Sequence, residues 1–294
     1  MFEEFKNAFS RHNNAHIQLI LINVIVFVVL GVLKVLCNVF GFPDIFIDVH
    51  NQFVIPPTFA EFLTRPWTII TYAFAHDLTG IFHILFNMLA LYWFGKLFVE
   101  YLGSDKLIAL YILGALAAAT FYLLMFNTVP YFKEQANFPG MVGASGAIYA
   151  IMVAAATLLP DYTFFLLFFG PVRIKYIAAI YIFISFLGSV GENSGGNIAH
   201  LGGALMGFVY IKQLQAGNNW GSWITSILYG IKNLFKPRPK VKVTYRKTEK
   251  TKTASPSSKA SQEEIDAILD KISDRGYESL SKDEKEKLFN ASKK

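Results

Sequence analysis

Long apolar runs, separated by short polar or proline-rich breaks, fill the chain from about residue 17 to residue 230, and charged residues crowd the stretch after Lys232. A helix needs about 20 mostly apolar residues to cross a bilayer. Six runs meet or approach that length: 17–39, 80–101, 107–126, 142–159, 174–190 and 197–213. They are apolar on every side rather than along one stripe, as lipid contact requires. The pattern predicts an all-α, polytopic membrane protein with six spanning helices.

The breaks differ in character. Residues 40–79 form a long first loop punctuated by Pro43, Pro56, Pro57 and Pro66. Tyr162 to Phe169 is apolar but stops at Gly170-Pro171, so it is expected to lie at the membrane interface rather than span. Past the sixth run, Trp220, Ile224, Ile227, Leu228, Ile231, Leu234 and Phe235 recur at helical spacing, which predicts an amphipathic interfacial helix over 218–236. Residues 237–260 are rich in Lys, Thr, Ser and Pro and read as a disordered basic linker. In 261–294 two capping boxes, Ser261 with Glu264 and Ser281 with Glu284, precede apolar positions at helical spacing, with Gly276 as a stop between them. A small helical hairpin is expected there. The organisation is thus a polar N-terminal segment (1–16), a six-span domain (17–215), the amphipathic helix, the linker and the hairpin. The first segment is polar and the run after it is too long for a cleavable signal peptide.

Composition sharpens this picture. Of 294 residues 53% are hydrophobic and only 16% charged, against about 25% charged in soluble domains; the mean hydropathy is +0.39. The net charge of +6 comes largely from the tail. A cytoplasmic basic flank that meets anionic lipid is preferred to a nucleic-acid patch, and no nucleic acid is expected as a partner. Lys6, Arg11, Lys96, Lys106, Arg173, Lys175, Lys212 and the tail fall on one side of a six-span topology; Arg65 and Lys133, with Lys34 near the end of the first span, fall on the other. The positive-inside bias places both termini in the cytoplasm. Cys37, alone in the chain, has no partner for an internal disulfide and is expected as a small buried hydrophobe.

Polar side chains inside spans are costly and often functional. The second run carries His83 and Asn87, the fourth Ser145 and Tyr149, the sixth Asn197 and His200. All three of these spans would run from outside to inside, and at 1.5 Å per residue His83, Ser145 and His200 lie within roughly 10 Å of the outer helix ends. Gly143, Gly146, Gly203 and Gly207 flank the serine and histidine, and Ala199, Gly203 and Gly207 make a small-residue ridge that permits close helix approach. A serine becomes a nucleophile when a base takes its proton, and His200 is the candidate base. Asn87, His83 and the Ser145 backbone N–H are candidate donors to a tetrahedral oxyanion. No acid is placed to act as a third member: Asp161 sits at the inner end of the fourth span and Glu192 in the loop before the sixth. Each motif alone also fits helix packing. The residues by themselves leave a hydrolase and a transporter about equally favoured.

At these residues the chain resembles the rhomboid family of intramembrane serine proteases. His83-Ile84-Leu85-Phe86-Asn87 matches that family's His-x-x-x-Asn, Gly143-Ala144-Ser145-Gly146 its Gly-x-Ser-Gly, and Ala199-His200-Leu201-Gly202-Gly203-Ala204-Leu205-Met206-Gly207 its Ala-His-x-x-Gly-x-x-x-Gly. The likeness covers about residues 60–213. It implies a six-span bundle in which Ser145 is nucleophile, His200 base, and His83, Asn87 and the Ser145 amide the oxyanion hole, with Tyr149 stacked on His200. It implies cleavage of single-span membrane proteins near the outer face, a bacterial inner-membrane location, a mobile fifth span with a glycine-rich cap at 188–196, and no cofactor or metal. A catalytically silent, client-binding relative is the alternative within the family. The Trp-Arg pair found in the first loop of some bacterial members is absent, with Arg65-Pro66-Trp67 standing nearby, and the resemblance assigns His76 no role.

Overall fold

Within lipid every backbone N–H and C=O must find a partner inside the protein, and a helix satisfies them all within one segment. The apolar runs accordingly become helices. The computed structural model describes residues 13–134, 140–166, 169–234 and 262–292. Six long helices occupy the six runs: α1 (Ala15–Val39), α2 (Ile81–Leu102), α3 (Ser104–Thr128), α4 (Ser145–Leu158), α5 (Ile174–Gly188) and α6 (Ser194–Gln215). Among the described residues α1, α2 and α3 are long and apolar enough to cross a membrane, while α4 and α5 are apolar but shorter. With 14 residues, α4 is about 21 Å long at 1.5 Å per residue, less than the hydrocarbon core of about 30 Å.

Helix α4 forms the middle of the bundle, flanked by α6, α3 and α2. It can do so because it is built of small residues: Ala147, Ala150 and Ala154 are fully buried. A Cβ added at Gly203 would overlap the Gly146 carbonyl, and one at Gly207 the Ala150 carbonyl. Backbone therefore meets backbone along the α4–α6 seam. Helix α1 packs on α2 and leaves Val28, Val32 and Val35 exposed, the face that lipid covers. Its buried Asn23 donates to Tyr111 Oη at 3.1 Å, and Tyr111 Oη donates to the Ala73 carbonyl at 2.6 Å. A polar side chain thus ties α1, α3 and the first loop together.

The first loop holds short helices at Pro43–Asn51, Phe59–Thr64 and Thr68–Thr71. Arg65 donates to the Asn51 carbonyl at 2.8 Å and locks the loop on itself. Ile55 and Met141 exchange backbone hydrogen bonds of 3.1 and 3.0 Å, which fixes the loop to the segment that leads into α4.

The segment expected at the interface as an apolar stretch is the start of a β-hairpin. Strands β1 (Thr163–Leu166) and β2 (Gly170–Arg173) pair antiparallel, with Thr163 opposite Arg173 and Leu166 opposite Gly170. The bundle is helical as expected, and this small sheet is an addition to it. Gly170, at φ +67°, adopts a backbone conformation that favours glycine. At the open end Asp161 pairs with Lys175 at 2.8 Å and Arg173 at 3.2 Å, and these cations hold its carboxyl below the usual range.

Helix α7 (Ser222–Leu234) buries Ile224 and leaves Trp223, Ile227, Ile231 and Leu234 exposed; Tyr229 Oη donates to Asp105 at 2.8 Å. The linker 237–260 and the expected Ser261 box lie outside the described residues. A second compact unit contains α8 (Gln262–Arg275) and α9 (Lys282–Ala291). Gly276 turns the chain at φ +75°. Ser281 and Glu284 cap α9 reciprocally, and Lys271 bonds Glu284 at 2.8 Å.

Candidate active site

Ser145 is the first residue of α4. The first intrahelical bond is Ile148 N–H to the Ala144 carbonyl at 3.0 Å, so the N–H groups of Ser145, Gly146 and Ala147 precede the helical ladder. They stand at the positive end of the helix dipole. Gly143 sets up this entry. Its N–H donates to the Tyr72 carbonyl at 2.9 Å, its φ is +135°, and a Cβ there would come within 3.2 Å of the His83 ring and 3.7 Å of Ser145 Oγ. Glycine is thus required twice, for the backbone angle and for the imidazole beside it.

Ser145, Tyr149, His83, Asn87 and His200 line one cavity of about 940 Å³. Asn87 donates one amide hydrogen to the His83 carbonyl at 3.0 Å; a side-chain amide has a second N–H to offer. Tyr149 stacks on His200 with ring centroids 4.1 Å apart and planes 7° from parallel. No hydrogen bond joins Ser145 to His200 among the described residues. In unliganded enzymes such bonds are often long and tighten only with substrate.

One partner was not legible in the sequence. Ser185 of α5, 1% exposed, lies 3.1 Å from His200 Nδ1 and donates to Tyr149 Oη at 2.9 Å. Nothing in the run Ile184-Ser185-Phe186 marks this serine out; only the packing of α5 against α4 and α6 does. Asp161 lies on the hairpin and takes no part in this cluster. Glu192 and Asp77 line the cavity. Burial would raise Asp77, but Thr79, donating through its N–H at 2.8 Å and its hydroxyl at 2.7 Å, together with His83 and Lys34, holds the carboxyl below its ordinary range. His76 is fully buried, edge-on to the His83 ring at 5.5 Å, and neither of its ring nitrogens has a hydrogen-bond partner among the described residues.

Elsewhere the cavity wall is apolar, with Phe94, Met152, Phe164, Leu166 and Ile177. Phe164 of β1 meets Phe94 of α2 edge-on at 5.5 Å, so the hairpin contributes to the wall. Among the described residues no group of three or more His, Cys, Asp and Glu side chains could hold a metal ion.

A serine at a free helix start, two histidines and an amide around one cavity within a helical membrane bundle define a class of polytopic membrane protein. A family model, the rhomboid domain, matches residues 63–215, and the chain belongs to that family. A second model, a family of unknown function (DUF6576), matches residues 257–294. The chain is similar to RHOMBOID-like protein 12, mitochondrial, of Arabidopsis thaliana, with 36% identity over 163 residues, 52% of this chain and 48% of that protein. It is similar to Rhomboid protein 1, mitochondrial, of Saccharomyces cerevisiae, with 30% identity over 181 residues, 54% of this chain and 49% of that protein. Rhomboid protease GlpG of Haemophilus influenzae is 26% identical over 181 residues, 62% of this chain and 84% of that protein. The chain spans about half the length of the mitochondrial relatives.

Proposed function

We propose that the chain is an intramembrane serine endopeptidase that cuts single-span membrane proteins near the outer face of the bilayer. Ser145 Oγ attacks the scissile carbonyl and gives its proton to His200 Nε2. The resulting oxyanion is held by the Ser145 N–H with His83 and Asn87. Collapse expels the amine, protonated by His200, and leaves an acyl-enzyme. Water, its proton taken by His200, then releases the acid and restores the serine. The observation that carries this reading is the convergence of Ser145, at the free start of α4, with His83, Asn87 and a ring-stacked His200 on one cavity.

The balance of Lys and Arg among the loops supports a topology with both termini on the cytoplasmic side, as in a bacterial inner membrane. The basic stretch 237–260 supports contact with anionic lipid on that side; activity in neutral and anionic vesicles alike that is unmoved by removal of residues 237–294 would exclude a regulatory role for it. The silent, client-binding alternative draws on the lack, among the described residues, of a Ser145–His200 hydrogen bond. Fluorophosphonate labelling decides between the two. Labelling of the wild type, lost in Ser145→Ala and His200→Ala, supports the protease. A wild type that resists the reagent and leaves a model membrane substrate intact supports client binding.

A further inference from the structure

We infer that Ser185 is a positioning residue that fixes the tautomer of His200, and so occupies the third place beside the proposed base, where no acid bonds the imidazole among the described residues. The inference rests on the protease reading above. A neutral imidazole carries one hydrogen on either of its two nitrogens, and which one is set by the hydrogen bond the other side of the ring makes. To accept the serine proton His200 must present a bare Nε2, which requires its hydrogen on Nδ1.

One assignment of the hydroxyl hydrogens around Nδ1 meets that requirement. Tyr149 Oη donates to the Tyr181 carbonyl at 3.5 Å. Its hydrogen being spent there, Tyr149 Oη accepts from Ser185 Oγ at 2.9 Å. Ser185 has one hydroxyl hydrogen, now used, so at its 3.1 Å approach to His200 Nδ1 it is the acceptor. In that assignment the direction runs from Nδ1–H to Ser185 to Tyr149 to the Tyr181 carbonyl, and Nε2 is left with its lone pair. The same Tyr149 ring lies flat on the imidazole, so one side chain fixes the tilt of His200 and anchors the chain that fixes its proton.

The location of Ser185 adds a second consequence. His200 is on α6, Tyr149 on α4 and Ser185 on α5. Helices α4 and α6 meet backbone to backbone, whereas Ser185 reaches the base from a third helix. Seating of α5 against the other two is therefore a condition for a correctly protonated base, and any displacement of α5 breaks the bond at Nδ1. A hydroxyl does not neutralise the imidazolium as a carboxylate would, so its loss costs less than loss of an acid from a triad.

The test uses the full chain in lipid vesicles with a model single-span substrate. Ser185→Ala is expected to lower kcat and the rate of fluorophosphonate labelling roughly tenfold, part of what acid–base catalysis supplies, with KM unchanged. Ser185→Thr, which keeps the hydroxyl, is expected to restore most of the loss. Equal rates in wild type and Ser185→Ala, or equal losses in Ala and Thr variants, overturn the proposal. Because Ser185→Ala can also loosen packing, the tautomer is read directly from imidazole 15N shifts in a Ser145→Ala chain, with His200 assigned by its loss in His200→Gln. Hydrogen on Nδ1 supports the proposal, and hydrogen on Nε2 overturns it. A wild type that does not label overturns the protease reading, and the catalytic role with it, whatever the tautomer.

Discussion

The ring of Tyr149 lies flat on the imidazole of His200, 4.1 Å between centroids. The contact holds the imidazole in one orientation through an apolar face rather than through charge. Tyr149→Phe keeps that face and is expected to lose only a few-fold in kcat, through the missing hydroxyl. Tyr149→Ala frees the ring, and misplacement of a reacting group by about 1 Å costs about 100-fold. Steady-state rates of the two variants on one membrane substrate check the ordering; equal losses would count against the stack.

Asn87 has an amide hydrogen beyond the one it gives to the His83 carbonyl. Removing an oxyanion donor lowers kcat about 100- to 1,000-fold. If Asn87 is the oxyanion donor proposed above, Asn87→Ala is expected to fall in that range with KM little changed, because such a donor acts on charge that exists only in the transition state. A change confined to KM would place Asn87 in substrate binding instead.

Gly203 faces the Gly146 carbonyl with no room for a Cβ. Overpacking of this kind costs about 1–3 kcal/mol. Gly203→Ala is expected to lower the melting temperature and Gly203→Val to lower it further, with activity falling in parallel. Thermal unfolding in detergent measures the first effect and labelling of Ser145 the second.

Burial, with the His83 ring as a smaller cause, pushes the His76 imidazole down from its ordinary value to about 3. The folded protein therefore keeps His76 neutral where the unfolded chain takes up a proton. Stability is unaffected by this group above the unfolded value of about 6.5. It declines as pH falls from there towards 3, by up to about 1.4 kcal/mol per pH unit. His76→Phe is expected to flatten the pH dependence of unfolding in that window. An unchanged slope would show that His76 is protonated in the fold.

Much of this molecule is legible in its sequence because lipid imposes simple demands. Runs such as 107–126 must become helices, and a His83 or a His200 stands out against such a background. Small residues at 199, 203 and 207 likewise announce close helix approach by their spacing alone. Ser185 escapes because one hydroxyl in an apolar helix bonds its own turn as readily as a neighbour, and only packing decides. The hairpin escapes because Thr163-Phe164-Phe165-Leu166 has no alternation of polar and apolar positions, although Phe164 and Leu166 face the cavity and Phe165 is exposed. The short helices of the first loop are hidden among prolines that predict breaks and not what lies between them.

The seam where Gly203 meets the Gly146 carbonyl and Gly207 the Ala150 carbonyl leaves no side chains to rearrange. Two structural rods are in effect welded there, and the weld carries both Ser145 and His200, the proposed nucleophile and base. On the proposed function, adaptation to a new client falls to the apolar lining off that seam, where Phe94, Phe164 and Ile177 can be exchanged without disturbing it. A graft of that lining from one family member to another should transfer client preference, while a graft of the seam should transfer nothing but risk to folding.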